Sequence, residues 1–169
     1  RAKAKLALKI NASKPIIGNK PVMNYKQAFN PILYLKQKGT DQKTIPFDLE
    51  LLNNNRILIL SGPNAGGKSV TLKTVGLLQL MLQCGMLVTA NENSKFGIYE
   101  SIFTLIGDQQ SIEDDLSTYS SHLTHLKKII DVANDKSLVL IDEFGSGTDP
   151  KIGGGIAEAV LKELQNKNS

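Results

Sequence analysis

Residues Gly62 to Ser69 read Gly-Pro-Asn-Ala-Gly-Gly-Lys-Ser, a complete G-x-x-x-x-G-K-[ST] pattern. These residue types at this spacing answer to one chemistry, the holding of a run of phosphates. Glycines let backbone N–H groups approach phosphate oxygens, and a helix that starts at the lysine turns its positive end toward them. Lys68 adds a mobile cation, and the Ser69 hydroxyl is a ligand type for Mg²⁺. The reading predicts a bound nucleoside triphosphate. The plain alternative is a glycine-rich turn with a buried lysine stem. It is disfavoured by the flanks, where Arg56–Ser61 has the composition of a strand and Val70–Leu78 that of a helix.

A second acidic element points from binding to hydrolysis. Ser137-Leu-Val-Leu-Ile141 is a short run, apolar after its opening serine, the pattern of a strand buried on both faces of a parallel sheet, and it ends in Asp142-Glu143. In open α/β sheets ligands gather at the carboxyl ends of the strands. There Asp142 is suited to hold Mg²⁺ through water, and Glu143 to orient and deprotonate an attacking water as the catalytic base. A pair of solvated acids opening a loop is the alternative, and the phosphate loop argues against it by requiring such a partner.

The elements that must position these groups follow from the pattern. Arg1–Ile10 has helical spacing and reads as the end of a connector helix (residues 1–13), broken by Asn11–Pro15. Pro21–Leu35 and Thr44–Leu52 read as antiparallel strands joined by a polar Lys36–Lys43 loop. After the phosphate-loop unit, Leu87–Ala90, Phe96–Tyr99 and Ser101–Ile106 read as short strands, with a turn at Asn91–Ser94. Ser120–Ala133 is an amphipathic helix, and a last helix is expected from about Ile152 to Gln165. The fold class expected is α/β: a mainly parallel central sheet flanked by helices, with a smaller antiparallel sheet from the N-terminal part.

Composition sets bounds on this reading. The 169 residues are 41% hydrophobic and 21% charged, ordinary for a globular α/β domain. The longest apolar stretch, Val75–Val88, is interrupted by Gly76, Gln79, Gln83 and Gly85, so no membrane span is expected. Cys84 is the one cysteine, read as a small core residue; an internal disulfide is excluded, and a cytoplasmic location is expected. Charge is uneven: residues 1–44 carry ten bases against Asp41, a balance of +9, while the remainder carries −5. Spaced lysines without interleaved aromatics read as a solvated face rather than a nucleic-acid contact. The chain opens on Arg1, which is expected of a piece of a longer protein.

The segment Ile106–Leu123 clusters polar residues ahead of a helix, and Ser117, Thr118, Ser120 and Ser121 are all N-cap types. Alone this is a capped helix, and Glu113-Asp114-Asp115 a solvated loop favoured by the helix dipole. Taken with Gly145-Ser-Gly-Thr-Asp-Pro150 just after Glu143, the arrangement resembles the ABC-type ATPases, in which a helix start of one protomer completes the nucleotide site of the other. Within that class the chain resembles the MutS family over nearly its whole length. The quoted residues are Gly62–Ser69, Ser117-Thr118, Asp142-Glu143 and Gly145–Pro150. Three stretches look like the paralogue branch with a C-terminal small nuclease domain rather than the mismatch-recognising branch: Thr71–Leu78, Gly107–Glu113 with Leu116–His122, and Gly147-Thr-Asp-Pro150.

What the resemblance implies is an Mg-dependent ATPase domain over residues 14–169. ATP would be held by Gly62, Pro63, Asn64, Ala65, Gly66, Gly67, Lys68, Ser69 and Val70, and the metal by Ser69 and Asp142. Glu143 would serve the water, and Ser117 and Thr118 would reach the γ-phosphate of a partner in a homodimer. DNA or another structured nucleic acid would be bound by domains outside this sequence. ABC-type ATPases place a further strand ending in a histidine after the last helix, whereas this sequence stops at Ser169. An ATPase domain incomplete at its C-terminus is therefore expected, weak in hydrolysis alone. His122 and His125 are not that histidine; they are read as surface or cap groups, with a two-histidine metal site the less favoured reading. The function expected is the ATP-hydrolysing module of a MutS-like DNA repair or recombination-control protein. The alternatives are another ABC-type ATPase, SMC-like or a transporter, although a transporter's Gly-Gly-Gln signature is missing, and a nucleotide-gated dimerisation module with negligible turnover.

Overall fold

A computed structural model of the chain describes residues 1–51, 56–63, 66–106, 115–142 and 149–167, and of residues 115–119 the backbone alone. Two compact units divide it, Arg1–Ile98 and Tyr99–Ser169. The chain is mixed α/β, as expected.

The first unit holds α1 (Ala2–Lys9), β1 (Ile16–Ile17), β2 (Met23–Ala28), α2 (Pro31–Gln37), β3 (Phe47–Leu51), α3 (Lys68–Gln83) and β4 (Lys95–Phe96). Its sheet runs β1-β4-β2-β3, parallel at β1/β4 and antiparallel at β4/β2 and β2/β3. Alternation buries Met23 and Tyr25 of β2, and a bulge between Tyr25 and Ala28 then restores Ala28 to the inner face. The extra residue is held by side chains. Lys26 N–H donates to Ser94 Oγ at 3.0 Å, and Gln27 N–H, at a φ of 49°, donates to Asp48 Oδ1 at 2.7 Å.

On the inner face the Tyr25 and Phe96 rings stack at 4.0 Å. Val75, Leu78, Met81 and Leu82 of α3 recur at helical spacing and are buried. Gln79 lies among them with no exposed surface, and its amide is fully engaged: it accepts from Tyr25 Oη at 3.0 Å and donates to Gly97 O at 2.8 Å and Gln83 Oε1 at 2.9 Å. Those bonds offset the desolvation of a buried amide. They also lock α3 to the sheet. Gly97 has to be glycine, because a Cβ there would lie 2.3 Å from Val22 N and 2.5 Å from Lys20 O.

The second unit is a β-α-β-α run of β5 (Ser101–Leu105), α4 (Asp115–Val132), β6 (Ser137–Ile141) and α5 (Pro150–Asn166). β5 and β6 pair in parallel over five residues, from Ser101↔Ser137 to Leu105↔Ile141. Leu126, Ala133, Val160 and Leu164 form its buried core, with Phe103, Leu123, Val139 and Ile156 packed against them. β6 is buried or half-buried at every position, which agrees with a strand covered on both faces.

Several expectations are corrected. Pro31–Gln37 is a helix, because Asn30 Oδ1 accepts the N–H groups of Ile32 and Leu33 at 2.9 and 3.0 Å and Pro31 sits at the first helical position, where its missing N–H costs nothing. Only Met23–Ala28 of the expected Pro21–Leu35 strand is strand, and the loop starts at Lys38. Arg56–Ser61 belongs to no strand ladder among the described residues, and Leu58, Ile59 and Leu60 are exposed at 46%, 70% and 39%. Strand composition alone does not make a strand, because strand preference depends on the neighbours that a segment packs against. Leu87–Ala90 shrinks to one antiparallel bridge, Ser13↔Val88, and Phe96–Tyr99 to the two residues of β4, beyond which Gly97 N–H turns to Val22 O. Cys84 is exposed at the end of α3, because the helix turns its apolar stripe away from that position.

Candidate nucleotide site

The phosphate loop is shaped by its glycines. Gly62 has a φ of 146° and Gly67 one of 78°, both in the region that L side chains rarely adopt. A Cβ at either would meet nothing within 4 Å, so the demand for glycine is conformational and not steric. Gly66 N–H donates to Pro63 O at 2.9 Å, tightening the loop ahead of α3. Asn64 and Ala65 lie outside the described residues.

Gly67 ends the loop as the N-cap of α3, and among the described residues no side chain caps that helix and no acid stands in its first turn. The first-turn N–H groups at Lys68, Ser69 and Val70 are thus left to an anion, with the helix dipole favouring it. Lys68 folds back over the loop, its Nζ donating to Gly62 O at 2.5 Å and Pro63 O at 2.8 Å. An ammonium has three N–H donors, so one is left for an oxygen of a ligand. Ser69 is half-buried in the same turn. Thr71 N–H and Oγ1 both donate to Gly67 O, at 2.9 and 3.1 Å, and pin the turn from its far side.

Two groups that the sequence reading passed over meet this turn. Thr74, 1% exposed, donates through Oγ1 to Val70 O at 2.6 Å and accepts from Asn30 Nδ2 at 2.9 Å. The Asn30-Pro31 pair was the available signal, a helix cap written as a turn.

In the second unit Asp142 follows β6 directly, half-buried, its N–H donating to Leu105 O at 2.9 Å, so the ladder's geometry fixes its backbone. Glu143 lies outside the described residues, as do residues 144–148. Asp149 accepts from the N–H groups of Lys151 and Ile152 at 2.9 and 3.4 Å and caps α5, with Pro150 at its first position. The Asp-Pro pair that distinguishes this loop is thus a helix start. α4 covers Asp115–Val132 and so takes in Ser117 and Thr118, which lie ahead of the expected start at Ser120. Their side chains are outside the described residues. His122, three residues before His125 on α4, has its pKa lowered by burial and then by the charge of His125. Among the described residues no three His, Cys, Asp or Glu side chains are placed to hold a metal, and no helix is long and apolar enough to cross a membrane.

Comparison with known proteins places these motifs in one family. Residues 58–169 match the profile of MutS domain V. The chain is 45% identical over 166 residues to Endonuclease MutS2 of Carboxydothermus hydrogenoformans, covering 98% of this chain and 20% of that protein. It is 47% identical over 167 residues to Endonuclease MutS2 of Caldicellulosiruptor bescii, covering 99% and 20%. It is also 41% identical over 168 residues to Endonuclease MutS2 of Geobacillus kaustophilus, covering 99% and 21%. The chain thus spans about a fifth of the length of these relatives. The match over the phosphate loop, α4, β6 and α5 together shows that this chain belongs to the MutS family, in which it carries the ATPase domain, domain V, and sides with the MutS2 branch.

Proposed function

We propose that this chain binds and hydrolyses Mg-ATP within a MutS-like DNA repair or recombination-control protein, and that turnover in a homodimer is coupled there to nucleic-acid binding by other domains. The observation that carries the reading is the phosphate loop, where two glycines at positive φ, a folded-back Lys68 and an uncapped α3 start converge on one spot. These residues fit a triphosphate. Lys68 and the N–H groups of Gly67 to Val70 would hold it, and Ser69 and Asp142 would hold Mg²⁺, which when bound neutralises charge on the phosphates. Glu143 would take the proton of the attacking water, and Ser117 and Thr118 would contact the γ-phosphate of the partner's nucleotide. A cytoplasmic location accords with this role.

Lys68→Ala removes the side-chain cation of the loop and is expected to weaken ATP binding by about tenfold or more. Titration calorimetry of the variant beside the parent measures this, and equal affinity would overturn the assignment of the loop.

A further inference from the structure

We propose that Asn30 and Thr74 form a positioning relay for the phosphate loop, through which α2 sets the first turn of α3. The inference rests on the reading of Gly62–Val70 as an ATP site. Asn30 has two tasks in different directions. Its Oδ1 accepts two N–H groups at the start of α2, and its Nδ2 donates to Thr74 Oγ1 at 2.9 Å. That bond occupies a lone pair of the hydroxyl and leaves its proton for Val70 O, 2.6 Å away. The chain of donors runs one way, from α2 through Thr74 into the turn that carries Lys68, Ser69 and Val70.

A hydroxyl bonded back to the carbonyl four residues earlier bends and fixes a helix at that turn. Here the turn is the one whose N–H groups face the loop. Thr74 is buried, so water does not stand in for a lost partner. Without the relay the first turn is free to shift, and the phosphate oxygens then meet donors that must be ordered on binding. Polarisation along the two bonds ties them together, so the losses from breaking either are shared and not summed.

The test uses the intact protein and measures ATP affinity by calorimetry together with melting temperature. Asn30→Ser keeps a good cap acceptor for α2 but lacks the amide donor that reaches Thr74. Thr74→Val keeps shape and lacks the hydroxyl. Each is expected to weaken ATP binding about three- to tenfold, the size of one hydrogen bond. The double variant should lose no more than the larger single loss, and Thr74→Ser should restore parental affinity. Lower melting temperature with unchanged ATP affinity, or losses that add in the double variant, would overturn the relay. A Thr74→Val protein that fails to fold leaves the decision to Asn30→Ser and Thr74→Ser. The underlying reading fails separately: a parent that binds no ATP sinks the loop assignment and the relay with it, whereas a parent that binds ATP as tightly as Asn30→Ser sinks the relay alone.

Discussion

Asp142 and Glu143 are neighbours in sequence, and the proposed function divides the work between metal and water across them. A carboxylate that holds Mg²⁺ through its water shell acts on metal-dependent affinity, whereas one that takes a proton in the transition state acts on rate. Asp142→Asn is therefore expected to weaken Mg-ATP binding by about 10- to 100-fold. Glu143→Gln is expected to leave binding close to parental and lower turnover by about 10²–10⁴-fold, because an amide accepts no proton. Calorimetry with and without Mg²⁺, paired with steady-state phosphate release, separates the two, and parental turnover by Glu143→Gln would remove Glu143 from the mechanism. The loop glycines are a different kind of requirement. Gly62 and Gly67 are dictated by backbone angle in open space, and Gly97 by atoms that would collide with any side chain. A motif spelled by backbone need is readable from sequence, while a close approach such as that at Gly97 requires the partner strand to be seen.

Among the elements, those with strong periodicity were legible and those defined by a partner were not. β6 falls on Ser137–Ile141 as its apolar run implies, and the helix behind the phosphate loop runs from Lys68 to Gln83 on the stripe Val75, Leu78, Met81 and Leu82. α2 is hidden in the sequence because Asn30-Pro31, its cap and first residue, is also a pair that breaks a strand, and Arg56–Ser61 has the composition of a strand without a ladder among the described residues. α5 carries its own anomaly: Gly153, Gly154 and Gly155 lie consecutively in its first turns, and a Cβ at Gly154 or Gly155 would meet nothing within 4 Å. Glycine costs about 0.5–1 kcal/mol relative to alanine inside a helix. Gly154→Ala and Gly155→Ala should each stabilise the protein by about that amount in urea unfolding, and a loss of stability would show that the open space is filled in the intact protein. α4 sets a pH dependence. Burial, and then His125, lower the pKa of His122, so its folded form binds a proton less readily than the unfolded chain, whose value is about 6.5. Its contribution to stability is complete above about pH 6.5 and is lost as pH falls through the lower folded value. Urea midpoints between pH 5 and 7.5 should fall less on acidification for His122→Gln than for the parent, and parallel curves would discount His122.

On the scale of the whole molecule, the proposed function calls for assembly rather than for a self-sufficient enzyme. The ion pairs seen among the described residues, Lys136–Glu100 and Lys162–Glu158, are exposed and lie in the second unit, so they contribute little to the first, whose opening 44 residues carry +9. In the proposed function Ser117 and Thr118 would come to the nucleotide from a second protomer. A site shared in this way has a distinctive genetics. If Ser117 serves the nucleotide of its partner, Ser117→Ala should leave ATP binding intact and abolish most turnover in the dimeric protein, and Lys68→Ala should abolish it by a different route. Mixing the two inactive variants then rebuilds activity, because each mixed dimer contains one site with both defects and one with neither. Random assortment makes half the dimers mixed and half of their sites sound, so about a quarter of parental turnover is expected. If Ser117 serves its own nucleotide, both sites of every mixed dimer carry a defect and no activity returns. Phosphate release from the mixture, with light scattering to establish that the dimer has formed, distinguishes the two arrangements, and a dimeric mixture that stays inactive would show that Ser117 does not act across the interface.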